Sequence, residues 1–298
     1  MTGRTTRSAG WLCTFALALA APAVPAQAPD SEIFLVPVSA TSGAVRFGAP
    51  RNITNRPGYD NQPSFTPDGQ SILYTSTRAD EQADIYRFEM SSGSITRVTE
   101  TAPESEYSAT VIPGGGAISV VRVERDSTQR LWRFPLNGGS PSVILPGVAP
   151  VGYYAWADSL TLFMFVLGDP PTLQRASLGD SSARVVEDSI GRSIQAIPGG
   201  GVSVVLKPAP DEWWIARVDP ATGGIERLVR TRPGQEDYAW MPDGSLLQAD
   251  GATVYRWERG GEWTPVETFT DPGMARITRL AVSPDGRWLA AVAVPAAP

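Results

Sequence analysis

The chain has 298 residues, a formal charge of −6, one cysteine, one lysine and no histidine. An acidic chain with a single lysine, Lys207, lacks the basic footprint that phosphate backbones require, so nucleic acid is set aside as a partner. Without histidine there is no Ser-His-Asp or Cys-His catalysis and no histidine-ligated metal. With one cysteine there is no disulfide framework and no thiolate zinc site.

The first segment reads as a secretory signal peptide over residues 1–26. Arg4 and Arg7 precede an apolar run of 14 residues, Trp11 to Val24, and small-residue cleavage patterns follow at Ala21-Pro22-Ala23 and Val24-Pro25-Ala26. The run falls short of the about 20 residues that span a bilayer. Cys13 sits early in the run, whereas a lipid-anchored cysteine ends it. Export leaves roughly 270 residues without cysteine, and losing the two arginines takes the charge from −6 to −8. No other segment is apolar enough for a span. The reading is one domain over 27–298, located in the periplasm or secreted, monomeric, and held by its own core.

Beyond it the chain repeats itself. The segment 61-NQPSFTPDGQSILYTS-76 returns as 239-AWMPDGSLLQA-249 and 280-LAVSPDGRWLAAV-292, with degraded copies at 110-TVIPGGGAISVV-121, 154-YYAWADSLTLFMF-165 and 195-QAIPGGGVSVVL-206. Taking Pro67, Pro113, Ala157, Pro198, Pro242 and Pro284 as markers, the spacings are 46, 44, 41, 44 and 42. A period in that range with short β-type runs predicts a propeller. In the first period Ser64 to Thr66 closes one strand and Pro67-Asp68-Gly69 turns the chain. Ile72 to Ser76, Ala83 to Met90 and Ile95 to Thr99 follow as strands. Four short antiparallel strands bounded by Gly, Pro, Asp and Ser make one blade. The turn chemistry explains the motif: Pro presets φ, Asp bonds to nearby backbone, and Gly accepts φ > 0. Two copies replace the Asp with Gly, so it is a turn residue and not a catalyst.

Six copies predict an all-β, six-bladed propeller of four-stranded antiparallel blades. After Pro284 only two strands remain, about Arg279 to Ser283 and Arg287 to Val294. The segments 32-EIFLVPV-38 and 51-RNIT-54 resemble third and fourth strands, so the sixth blade is expected to join the two termini, which removes open sheet edges.

The unit formed by Pro63, Phe65, Pro67, Asp68, Gly69, Ile72 and Tyr74, followed by Asp84-Ile85-Tyr86 and Thr96 to Thr99, resembles the repeat of the TolB-like propeller family. The resemblance implies a propeller fold over nearly all the exported chain. TolB itself carries an additional N-terminal domain, for which there is no room before Glu32. Prolyl oligopeptidase-type relatives add a hydrolase domain, and no Gly-x-Ser-x-Gly elbow occurs. The propeller lyases sharing this repeat depend on histidine. The resemblance thus implies a stand-alone periplasmic propeller that binds something, and the leading expectation is a non-catalytic protein-interaction module of the cell envelope.

Topology places any site. The blade-to-blade crossings share one face, opposite the Pro-Asp-Gly turns. These crossings supply the candidate binding residues Tyr59, Asp60, Asn61, Glu106, Tyr107, Tyr153, Tyr154, Arg192, Asp237, Tyr238 and Arg276, a mix suited to polar recognition. An alternative stays open: a carboxylate-dependent, carbohydrate-active or small-ligand propeller using Glu106 and Asp237, since glycosidases need only two carboxylates. Arg192, Arg276 and Arg279 could clamp a carboxylate. Asp80, Glu81 and Asp84 lack EF-hand spacing and read as a solvated loop. Trp213 and Trp214, as adjacent strand residues, point to opposite faces and are expected to pack between blades. No cofactor and no metal are expected.

Overall fold

The computed structural model describes residues 30–41, 44–78 and 81–296. The signal-peptide segment and Asp80 lie outside the described residues.

Five blades follow one another in the chain. The first is β4 (Tyr59–Phe65), β5 (Ser71–Thr77), β6 (Ala83–Glu89) and β7 (Ile95–Arg97), after the N-terminal strands β1 (Glu32–Thr41), β2 (Ala44–Phe47) and β3 (Arg51–Asn52). The second is β8 (Ser105–Val111), β9 (Ala117–Val123), β10 (Gln129–Pro135) and β11 (Ser142–Ile144). The third is β12 (Val151–Trp156), β13 (Thr161–Val166), β14 (Thr172–Ser177) and β15 (Ser182–Asp188). The fourth is β16 (Ile190–Ala196), β17 (Val202–Ala209), β18 (Glu212–Val218) and β19 (Ile225–Arg230). The fifth is β20 (Tyr238–Trp240), β21 (Leu246–Asp250), β22 (Thr253–Trp257) and β23 (Thr264–Thr268). Each is an antiparallel meander in chain order.

The sixth blade joins the ends. β24 (Arg276–Val282) pairs with β25 (Trp288–Val294), β25 with β1 from Glu32↔Ala293 to Pro37↔Trp288, and β1 with β3. β24 also lies against β4 of the first blade and closes the ring. One element departs from expectation. β1 runs past Val38 to Thr41 and pairs with β2, so this blade has a fifth strand beside the short β3. The reason is packing: Val38 and Val45 are buried in the cluster between blades five and six, and Phe47 meets Phe269 edge-on at 6.3 Å. The alternation in 44-AVRF-47 carried that signal.

The core is divided rather than central. Six apolar clusters lie one at each junction between neighbouring blades, such as Leu73, Ile85, Ile118 and Val120 between the first and second, or Ile33, Ile72, Tyr74 and Val292 between the sixth and first. Both faces of every blade are therefore covered, which is why β5 and β9 are buried over their first six residues without alternation. Trp213 and Trp214 pack at two different junctions, on the fifth-blade and third-blade sides respectively.

The repeated turn is structural. The Asp68 carboxylate accepts from Thr66 Oγ1 at 2.6 Å and from the Gln70 N–H at 3.0 Å, and Asp285 does the same with Ser283 Oγ at 2.6 Å and the Arg287 N–H at 3.0 Å. These hydrogen bonds hold both carboxyls below their usual range. Gly69 takes φ 67° and Gly286 φ 71°, the left-handed conformation that glycine adopts freely.

Candidate functional site

The first strands of the six blades surround a central channel with a volume of about 550 Å³. At one end it is lined by Pro113, Pro198, Pro242 and Pro284, the markers of the repeated turn. At the other it is lined by Tyr153, Arg192 and Arg279. The channel thus runs through to the turn face, although the charged groups collect only at the crossing-loop mouth.

Bulges shape that mouth. β4, β8, β12, β16 and β24 each shift register near their first residues, between Asn61 and Ser64, Tyr107 and Thr110, Val151 and Tyr153, Ile190 and Ile194, and Ile277 and Arg279. A bulge re-aims the side chains beside it. Arg192 Nη2 donates to Asp237 Oδ2 at 3.0 Å, and Arg279 Nη1 lies 3.7 Å from Asp237 Oδ1. The Arg279 guanidinium also sits 5.5 Å from the Tyr153 ring centroid, and Tyr153 packs edge-on against Phe165. Burial pushes the Tyr59 hydroxyl up to about 12, opposed by the nearby Arg279 charge; burial also raises Tyr107. Tyr59, Tyr107, Tyr153, Arg192, Asp237 and Arg279 therefore share one electrostatic neighbourhood.

A second cavity of about 460 Å³ adjoins the first at Arg192 and is lined by Phe165, Lys207 and Glu236 among others. Here Glu236 is held by the Arg192 backbone N–H and by Lys207 Nζ at 2.9 Å. Lys207 in turn lies 3.8 Å from the Trp213 ring centroid. Gly191 leaves room for this pair, because a Cβ there would push the Glu236 carboxylate and the Lys207 stem out of their present positions.

Other expected site residues are folded away from the mouth. Asp60 and Glu106 are fully buried, 46 residues apart at the same blade position. Asp60 pairs with Arg56 at 3.3 Å; Glu106 pairs with Arg122 at 3.2 Å and accepts from Thr101 Oγ1 at 2.5 Å. Burial raises Asp60 to about 6 and Glu106 to about 7. Glu106 therefore does not present its carboxylate beside Asp237, as the carboxylate-pair alternative required. Tyr154 and Tyr238 are buried against neighbouring blades. The Tyr154 hydroxyl lies 2.8 Å from Ser108 O and 2.6 Å from Ser119 O, and the Tyr238 hydroxyl bonds Ser203 Oγ at 2.8 Å. Asn61 Oδ1 accepts the Gln62 N–H at 2.7 Å and so serves the bulge. Arg276 is exposed at the start of β24 and does not line the channel. Asp84, expected in a solvated loop, is buried and receives Arg97 at 2.5 Å and Thr99 at 3.0 Å. Of the three arginines expected as a carboxylate clamp, Arg192 and Arg279 line the mouth and Arg276 does not, and Lys207 and Glu236 adjoin them. Among the described residues no three His, Cys, Asp or Glu side chains converge as a metal site, and no helix is long and apolar enough to cross a membrane.

Five four-stranded antiparallel sheets and a sixth with one added strand, closed into a ring, define a six-bladed β-propeller. No family model and no curated protein matches the chain, but solved structures do. The structure described as a TolB from Agrobacterium tumefaciens aligns with a TM-score of 0.67 at 15% identity, over 89% of this chain and 98% of that one. TolB from Acinetobacter baumannii aligns with a TM-score of 0.58 at 15% identity, over 88% of this chain and 63% of that longer chain. An oligogalacturonate lyase in complex with manganese aligns with a TM-score of 0.56 at 15% identity, over 87% and 85%. The fold is that of a TolB-like propeller, and the lyase shares it.

Proposed function

We propose that the chain is an exported, non-catalytic propeller of the cell envelope that binds a protein partner over the crossing-loop mouth. The observation that carries this reading is the asymmetry of the channel: one end is a ring of turn prolines, the other is lined by Tyr153, Arg192 and Arg279, with the Tyr59 hydroxyl within their electrostatic reach. Tyrosine and arginine are the residue types that dominate protein recognition, because they offer large contact area with polar ends. The absence of histidine from the chain, and the withdrawal of Glu106 into its blade, support binding over catalysis.

The test is site-specific photocrosslinking in cells, with the reactive residue replacing Tyr153 at the mouth or Asp285 on the turn face. A discrete protein adduct from the mouth alone is the expected result. Replacing Arg192, whose side chain is half exposed, by Ala in the same molecule should abolish it with little change in melting temperature. Equal adducts from both faces, or none from the mouth, would sink the reading.

A further inference from the structure

The channel carries an electrostatic signature that is unusual in an acidic chain. Among the described residues its lining includes two charged side chains, Arg192 and Arg279, and no aspartate, glutamate or lysine, while the whole chain carries −6. Low-dielectric walls focus the field of such charges into the cavity. The Arg279 side chain is only 17% exposed, yet its nearest carboxylate is Asp237 at 3.7 Å, and among the described residues its guanidinium makes no hydrogen bond. A guanidinium has five N–H donors, and a largely buried one normally spends them. Arg192 reaches the same place from β16 and is half exposed, with one bond to Asp237 at 3.0 Å.

We propose that this channel is a carboxylate-binding site: a ligand carboxylate entering from the crossing-loop end is received by Arg279 together with Arg192, in competition with Asp237, which lies between them. Asp237 occupies part of both cations and leaves the rest of their donors to the cavity. The mouth already shows the chemistry it offers, since Glu236 lies in a cradle made of the Arg192 backbone N–H and the Lys207 ammonium. Guanidinium and carboxylate match as planar forks, which makes this pairing stronger and more directional than a neutral contact. A volume of about 550 Å³ suits an extended segment or a short oligomer and excludes a folded domain. The carboxylate can arrive on an acidic peptide or on an acidic sugar, and the inference rests on the protein-binding reading only in expecting the peptide.

Isothermal titration of the exported chain at low ionic strength decides it, with three probes: end-blocked pentaglutamate, end-blocked pentaglutamine and trigalacturonate. Pentaglutamate should bind and pentaglutamine should not. Arg279→Gln should weaken the acid by about tenfold or more, as loss of a charge-assisted pair does. Asp237→Asn should tighten it by roughly threefold or more, because the competing carboxylate is gone. A residue that merely held the fold together would not improve binding when removed. If Arg279→Gln fails to fold, Arg192→Gln, at a half-exposed position, must show the same loss. Equal binding of both peptides, silence from both acids, or unchanged affinity in folded arginine variants overturns the proposal. Trigalacturonate binding without pentaglutamate binding upholds the carboxylate site and removes the protein-partner reading.

Discussion

Replacing Tyr238 by Ala is expected to destabilise the protein by about 4 kcal/mol, the sum of a large-to-small core cavity and a lost buried hydrogen bond. Tyr238 is fully buried, and its hydroxyl and the Trp240 indole N–H both bond Ser203 Oγ at 2.8 Å. Ser203 spends its own proton on Gln195 O at 3.3 Å, so this one hydroxyl donates once and accepts twice, its full capacity. The result is a clasp from the first strand of the fifth blade into the fourth. It recurs between the third and second blades, where Trp156 Nε1 bonds Ser119 Oγ at 2.9 Å and the Tyr154 hydroxyl meets Ser119 O at 2.6 Å. Against a total stability of roughly 5–15 kcal/mol, the alanine variant should melt about 10 °C lower or fail to accumulate. Tyr238→Phe keeps the ring and leaves Ser203 bonded to Trp240, so it should cost about 1 kcal/mol. Calorimetric melting of both variants checks the ordering. An alanine variant as stable as wild type would mean that the clasp is not part of what holds the blades together.

The same two tyrosines show where sequence reading stopped. The spacing of the Pro-Asp-Gly turns fixed blade number, blade order and the joined sixth blade, because turn chemistry is local and each turn is read from three or four residues. The channel mouth depends instead on strand phase. Tyr59 and Asp60, Tyr153 and Tyr154, and Asp237 and Tyr238 are adjacent pairs, and in each pair the first residue lies near Arg192 and Arg279 while the second is buried in or between blades; of Glu106 and Tyr107, the first is buried and the second packs half-buried between blades two and three. Alternation makes that division inevitable, but its phase needs a strand start, and bulges near five of the six starts reset it. A signal was present for the buried members. The tripeptide Tyr-Ala-Trp occurs at 154–156 and again at 238–240, two blades on, and Ser119 and Ser203 share the same offset. An identical repeat on that spacing marks packing between blades. Arg279 carried no such mark, because the bulge between Ile277 and Arg279 is a property of the paired strands.

Stability is expected to rise as the solution is made mildly acidic, opposite to the usual behaviour of paired carboxylates. Asp60 and Glu106 are fully buried; neither Asp60 carboxylate oxygen accepts a hydrogen bond among the described residues, and of the Glu106 oxygens only Oε1 does. Glu106 faces Arg122 and, more distantly, Asp84; Asp60 faces Arg56 and Arg78 with Glu32 nearby. The arginines do not offset burial, so the folded values stand at about 7 and about 6, above the ordinary 4.5 and 3.8. The unfolded chain therefore releases these protons first, and in that window it binds fewer protons than the folded chain. Stability then falls as pH rises from about 4 to about 7, by on the order of 3 kcal/mol for each group, and is fully regained below the unfolded values. Turn carboxylates such as Asp68 and Asp285, whose values are lowered, act in the opposite sense at pH below this window. Glu106→Gln keeps an oxygen for Thr101 and leaves Arg122 with Glu104 at 3.4 Å. That variant should match wild type near pH 5 and exceed it near pH 8, by up to about 3 kcal/mol, flattening the profile. Urea unfolding of both proteins across that range is the measurement. A wild type most stable at pH 8, or two parallel profiles, would show that Glu106 is ionised in the folded blade and that Arg122 outweighs its desolvation.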